Sequence, residues 1–152
     1  MLALAALERL GLVGHVAEVL DPDTVLPQVG QGALAVECRG DDAQVLAWLH
    51  QVDDARARAQ VEAERAFLGA LGGGCTLPLG ALAQQAGSGP GLVVEGMMAS
   101  RDGRILLRRS VSGDDSDEVG TRLARTLLDD CGGSSLEDWD FDVPAGGPGR
   151  RP

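Results

Sequence analysis

The apolar residues of the second half of the chain change from a helical period to a period of two, and this change restricts the possible folds most strongly. Positions 77, 79, 81 and 83 are apolar in alternation, as in a half-buried strand. A second strand is predicted over 92–99 and a third over 105–111. Asp102-Gly103 lies between these two strands and is a strong hairpin signal. The pattern therefore predicts three antiparallel strands.

Two helices are predicted to flank these strands. The first runs from Asp54 to Leu71, where a run of glycines supplies a left-handed stop. The second follows the acidic run 114–118, which the macrodipole favours at a helix start, and ends at Gly132. The predicted core positions of the two helices are Val61, Leu68, Leu71, Val119, Leu123 and Leu127. Helix, three strands and helix in this order define a small α+β domain with a three-stranded antiparallel sheet.

The first 52 residues give a different pattern. Residues 2–20 are apolar on nearly every helical face, which predicts a helix buried on several sides. Because no capping residue precedes it, we expect the first residue to be a cut through a larger protein or a start site assigned too late. A short helix packed on its own domain is the alternative. Residues 30–38 predict a buried strand, and Asp41 or Asp42 caps a further helix, so this region predicts α/β pieces whose partner strands are missing.

Charge and cysteine content exclude several classes of protein. The net charge of −10 argues against binding to nucleic acid or to an anionic membrane. No apolar run reaches the roughly 18–20 residues of a membrane span, and the apolar opening meets Glu8 with no basic residue before it, unlike a signal peptide. Three cysteines without a C-x-x-C pair favour a reduced, cytoplasmic chain without a metal site.

Cys75 is the first candidate for chemistry. Three glycines precede it, so a bulky group could approach the sulfur along a bare backbone. The loop follows the electronegative end of a helix, which disfavours a thiolate and argues against a turnover nucleophile. The alternative interpretation is a small buried residue after a glycine cap. A redox role is a weaker choice, because no resolving cysteine lies near in sequence.

Two further candidates lie in the first region. The glycines of Gly30-Gln31-Gly32 let backbone amides and the Gln31 side chain reach a ligand. The alternative is an ordinary tight turn, which would have the same sequence pattern. Arg9 is the one cation of the apolar first helix and should meet a carboxylate or an anionic ligand. A surface arginine with a buried stem is the alternative.

Four sequence motifs, taken in order, are more specific than any of these features alone. They are Leu7-Glu8-Arg9-Leu10-Gly11, Leu26-Pro27-Gln28-Val29-Gly30-Gln31-Gly32-Ala33 leading to Glu37-Cys38-Arg39, Ala63-Glu64-Arg65-Ala66-Phe67-Leu68, and Gly73-Gly74-Cys75-Thr76-Leu77-Pro78-Leu79-Gly80. From about residue 2 to about residue 140, the chain resembles the C-terminal half of the hydroxymethylbilane synthase (porphobilinogen deaminase) family.

The resemblance implies a three-domain enzyme with two α/β lobes, like those of a periplasmic binding protein, and a third α+β domain. Residues 1–29 would end the second lobe, and 30–53 would return into the first. Residues 54–143 would form the third domain, with 144–152 as a disordered tail. Enzymes of this family join four porphobilinogen units into hydroxymethylbilane, a linear tetrapyrrole, with release of ammonia.

The resemblance also implies roles for single residues. A dipyrromethane cofactor would be held by a thioether to Cys75, Gln31 and Gly32 match a turn that contacts it, and Arg9 matches an arginine that binds pyrrole carboxylates. No aspartate here matches the family's catalytic aspartate. We therefore expect an inactive chain unless an N-terminal lobe completes a monomer that binds porphobilinogen and the growing oligopyrrole. The alternative is a non-catalytic α+β ligand-binding or interaction module with a buried structural cysteine.

Overall fold

The computed structural model describes residues 2–72, 77–89 and 91–136. Its helices are α1 (Leu4–Arg9), α2 (Ala43–Val52), α3 (Ala55–Ala70) and α4 (Ser116–Arg125). Its strands are β1 (Leu79–Gln85), β2 (Leu92–Ala99) and β3 (Leu106–Gly113). Short 3₁₀ turns lie at Val13–His15 and Gly133–Ser135, and a π-helical turn at Thr126–Asp130 extends α4.

The three strands form one antiparallel sheet in the order β1-β2-β3, which confirms the predicted sheet. The predicted hairpin between β2 and β3 is also present, with Gly103 at φ +72°. The Asp102 carboxylate accepts hydrogen bonds from the Ser100 hydroxyl at 2.6 Å and from the Arg104 amide at 3.1 Å. These bonds lower the pKa of Asp102, with the Ser100 hydroxyl as the larger cause.

α3 and α4 pack on one face of this sheet and close a hydrophobic core. Phe67, Leu123 and Val94 have no exposed surface, and each comes from a different element. The two helices approach closely at Gly120, where a Cβ would lie 2.2 Å from the carbonyl oxygen of Ala63. The helix-on-sheet layer predicted from the sequence is therefore confirmed.

Helix ends follow the expected chemistry. Asp54 begins α3 by accepting hydrogen bonds from the amides of residues 56 and 57, and Asp115 begins α4 by accepting from the Glu118 amide. Gly72 at φ +64° follows α3, and Gly132 at φ +78° follows the π-helical turn. A left-handed residue costs glycine little, so both chain reversals occur where the sequence predicts them.

The core face of α3 differs from the prediction. Val61 and Leu68 are half-buried, whereas Ala63 and Phe67 are fully buried with Leu71. Residues 63, 67 and 71 recur every four positions and form the stripe against the sheet. Of the predicted core residues, Leu71 is confirmed and Leu68 packs against the core. The prediction missed Phe67 and the small Ala63, which the close approach of α4 requires.

The first region departs further from its prediction. The helix expected over 2–20 is limited to α1, none of whose residues is buried, and Gly11 at φ +68° follows it. The strand expected over 30–38 is wrong for this chain: 33–39 form no strand, and Leu34 is 88% exposed. A strand needs a hydrogen-bonded neighbour, and no described strand pairs with this segment. α2 is confirmed, with Asp42 accepting from the Val45 amide at 3.1 Å.

Several predictions fall outside the described residues. They include the loop 73–76 with Cys75, the end of the domain expected over 54–143, and the tail expected over 144–152. In the part of the chain that the structure describes, no helix combines the length and apolarity needed to cross a bilayer.

Candidate functional site

Residues 21–32, which we call the strap, lie along β1. The Ala81 amide donates a hydrogen bond to the Pro27 carbonyl oxygen at 3.0 Å, and Leu26 is buried. A Cβ on Gly80 would lie 2.8 Å from that same oxygen. Glycine at position 80 therefore allows the strap to approach the strand, which is a physical reason for the glycine that ends the fourth motif.

Arg108 holds the other end of the strap. Its guanidinium donates to the carbonyl oxygens of Asp23 at 2.6 Å and Pro22 at 3.0 Å, and to the Glu95 carboxylate at 2.6 Å. The hydrogen bond with Glu95 is the main cause that raises the pKa of Arg108. One side chain of β3 thus joins the strap to the outer face of the sheet.

Glu64 joins the strap to α3 and β1 at once. Its side chain is buried, and its Oε2 accepts a hydrogen bond from the Gly30 amide at 2.7 Å. Its Oε1 accepts from the Ala83 amide at 3.0 Å. The sequence analysis quoted Glu64 in a motif without giving it a role. The signal in the sequence was an acidic residue on the face of α3 that carries Ala63 and Phe67. A carboxylate buried there needs hydrogen-bond partners.

An open cavity of about 880 Å³ lies beside the strap. Its walls come from residues near α1, from the strap, and from parts of α3 and β1, and most of them are apolar. Gln31, Gly32 and Glu64 all border it, so the two predicted cofactor contacts of the turn line the cavity. No atom lies within 4 Å of the place where a Cβ on Gly32 would stand, which leaves this backbone open to a ligand.

The charges of this cavity suit the rings of a dipyrromethane better than its carboxylates. Among the described residues that line it, His15 is the one basic side chain, while Glu18 and Glu64 are acidic. Apolar walls and free backbone can accept flat pyrrole rings. The acetate and propionate groups need cations, so these must come from outside this set of residues.

Arg9 is not among the described residues that line this cavity, and Cys75 lies outside the described residues. The Arg9 side chain is exposed, and within the described ranges no ion pair to it is formed. Cys75 lies between Gly72, which ends α3, and Leu77, which packs on the core before β1. Cys38 and Cys131 are free and half-buried. No group of three or more His, Cys, Asp or Glu side chains in the described part suits a metal ion.

Comparisons with known proteins relate this chain to a class of proteins that bind a cofactor. Residues 1–47 match the family model described as "Porphobilinogen deaminase, dipyromethane cofactor binding domain", which supports the predicted dipyrromethane cofactor. Residues 58–129 match the model of the porphobilinogen deaminase C-terminal domain. The chain belongs to the porphobilinogen deaminase family, as its four motifs predicted.

Individual relatives agree with the two family models. The chain is 48% identical to a porphobilinogen deaminase of Roseiflexus sp. (strain RS-1) over 138 residues, covering 90% of this chain and 45% of the relative. It is 42% identical to the porphobilinogen deaminase of Bacillus subtilis (strain 168) over 139 residues, covering 91% of this chain and 44% of the relative. The chain therefore spans a little under half the length of the relatives that it matches.

Proposed function

We propose that this chain is the C-terminal segment of a hydroxymethylbilane synthase, a transferase that joins four porphobilinogen units and releases ammonia. The observation that carries the proposal is the pair of family matches in consecutive order, over residues 1–47 and 58–129. The chain is also 48% identical to a relative named porphobilinogen deaminase. The small α+β layer agrees with the third domain that the resemblance implies. Its antiparallel sheet and two packed helices form a core of their own.

In this proposal Cys75 carries the dipyrromethane through a thioether, and the bound group supplies the primer for chain growth. The Gln31 side chain and the Gly32 backbone contact it from the strap, where both border the cavity. Arg9 binds a pyrrole carboxylate. The Arg9 side chain is exposed and therefore open to a ligand. Because the cavity wall carries few basic groups, the carboxylates of the ligand need cations outside that wall, and Arg9 is one such cation.

The rest of the enzyme is proposed to lie in an N-terminal lobe of the periplasmic-binding-protein type. Residues 1–29 and 30–53 then belong to the two lobes, and 54–143 to the third domain. The exposure of Leu34 and Val36 supports this division, because exposed large apolar side chains suit a surface that another part of the enzyme covers. We expect the catalytic aspartate there, and an inactive chain without it. The completed enzyme is proposed to be a cytoplasmic monomer.

Mass spectrometry of the intact chain tests the cofactor assignment. The chain is produced together with the N-terminal half of a relative and with porphobilinogen. We expect a covalent dipyrromethane that maps to Cys75 and disappears in Cys75→Ser. Cys131→Ser is the matched control, since Cys131 is a free cysteine elsewhere in the chain, and it should keep the adduct. An unmodified Cys75 in the completed protein would contradict the proposal and favour the non-catalytic module.

An activity measurement tests the division of labour. The purified chain alone should form no tetrapyrrole from porphobilinogen, whereas the same chain with the N-terminal half should form it. Turnover by the chain alone would show that the catalytic acid lies within these 152 residues.

A further inference from the structure

We infer that Glu64 is a positioning residue, whose buried carboxylate fixes the Gly30-Gln31-Gly32 turn against β1 and so sets the place of the two cofactor contacts. The importance of this turn for the reaction rests on the proposed function. The hydrogen bonds from the Gly30 and Ala83 amides to Glu64 do not depend on it.

The partners of Glu64 explain why the side chain must be a carboxylate. Both groups that face it are backbone N–H donors, one on the strap and one on β1. A carboxylate presents two acceptor oxygens, whereas the amide of glutamine presents one acceptor and an NH₂ group. Glutamine would therefore place a donor against a donor and leave one buried amide unpaired. Aspartate is shorter by one methylene and would not reach both amides from α3.

The bond to Glu64 is the last of several hydrogen bonds that attach the strap along its length. Arg108 holds the strap at Pro22 and Asp23, and Ala81 holds it at Pro27. Neither contact reaches beyond Pro27. Gly30 has φ +69° and lies in a turn with two internal hydrogen bonds. These run from the Gln31 N–H to the Gln28 carbonyl and from the Ala33 N–H to the Gly30 carbonyl. Among the described contacts, Glu64 supplies the side-chain bond that sets the orientation of this turn relative to β1.

Site-resolved amide hydrogen exchange of the chain tests the inference. In Glu64→Gln, we expect the Gly30 and Ala83 amides to exchange about ten-fold faster or more, because one charge-assisted bond is lost and the other weakened. Exchange at Leu123, in the core of α4, should change by less than about two-fold. Glu62→Gln is the matched control: Glu62 lies on the same helix with 52% of its side chain exposed, and its variant should leave Gly30 unchanged.

Three results would count against the inference. One is equal exchange of Gly30 and Ala83 in Glu64→Gln and in the unmodified chain. Another, which needs no variant, is exchange of Gly30 in the unmodified chain as fast as that of the exposed Gly32 amide. A faster rate at all amides of Glu64→Gln would show a general loss of stability instead of positioning, and would count against it too. Because none of these measurements uses the cofactor, a missing adduct on Cys75 would contradict the proposed function and leave this result standing.

Discussion

The described residues of 2–52 and of 55–136 both include many apolar side chains, but the two regions differ in how far they bury them. The second region carries the core, in which Phe67, Leu123 and Val94 are fully enclosed. In the first region Leu26 is the one buried hydrophobic residue among those described, and it belongs to the strap. Ten large hydrophobic side chains are exposed there, whereas Ile105 and Leu106 are the exposed ones in the described part of the second region.

This difference shows that local helix signals and tertiary burial are separate properties of a sequence. Asp42 caps α2 and Asp54 caps α3, so each helix begins at a capping residue. One face of α3 is buried because β1, β2 and α4 come from the same chain and pack against it. α2 has an apolar stripe without such neighbours, and Trp48 and Val52 are exposed on it. A helix obtains most of its stability from packing, so the first region depends on surfaces that it does not itself supply.

The largest expected difference between the two regions is in stability. Phe67→Ala should lower the free energy of unfolding by about 3–5 kcal/mol, because it leaves a cavity at the centre of the core. Trp48→Ala should change it by less than about 0.5 kcal/mol, since Trp48 is 58% exposed. Denaturant unfolding of the chain measures both. Similar losses for the two variants would show that the first region is as closely packed as the second.

A second pair of variants tests how closely α3 and α4 pack. Gly120→Ala should cost about 1–3 kcal/mol, because its Cβ would meet the Ala63 carbonyl and the Phe67 amide. Gly69→Ala, on the exposed side of α3, has open space and should be neutral or stabilise by up to about 1 kcal/mol. Thermal unfolding compares them. A neutral Gly120→Ala would mean that the two helices lie further apart than the structure shows.

The smallest expected effect is confined to the hairpin of the second region. Asp102 has a pKa below 3.8 in the folded chain, so its contribution to stability is present above the pKa of the unfolded state and is lost as the pH falls through the folded value. Ser100→Ala removes the main cause and should raise the pKa of Asp102 toward 3.8. NMR titration of the carboxyl carbon measures this change. Ser110→Ala, an exposed serine on β3, is the control and should leave the pKa unchanged.

The same variant also tests the independence of the regions. If the β2–β3 hairpin makes no contact with α1 or α2, Ser100→Ala should leave the backbone resonances of these two helices unchanged. Shifts there would show contacts between the regions beyond the strap.

Sequence patterns predicted the second region well because its elements find their partners within the chain. The bounds of β2, the Asp102-Gly103 hairpin and the glycine after α3 all follow from local chemistry. The strand expected over 30–38 does not form, because a strand needs a hydrogen-bonded neighbour and the partner strands are missing from the described part of the chain, as the sequence predicted.

The candidate site was predicted in a similar, partial way. Gln31 and Gly32 were predicted from a turn whose glycines are visible in the sequence, and both line the cavity, but their contact with a cofactor stays a prediction. Glu64 was missed as a site residue because its two amide partners lie 34 residues before it and 19 residues after it, and neither is a charged side chain that could have signalled a pair. The placement of Arg9 against a ligand and the chemistry of Cys75 remain predictions.

The hydrogen bond between Ala81 and the Pro27 carbonyl has a practical consequence for anyone who shortens this protein. β1 is an outer strand of the sheet, and the strap occupies part of its free side. A fragment that begins at residue 53 would keep the core but leave the Ala81 amide without its partner, on a strand edge that could then pair with another molecule. We expect such a fragment to self-associate more than the whole chain as its concentration rises.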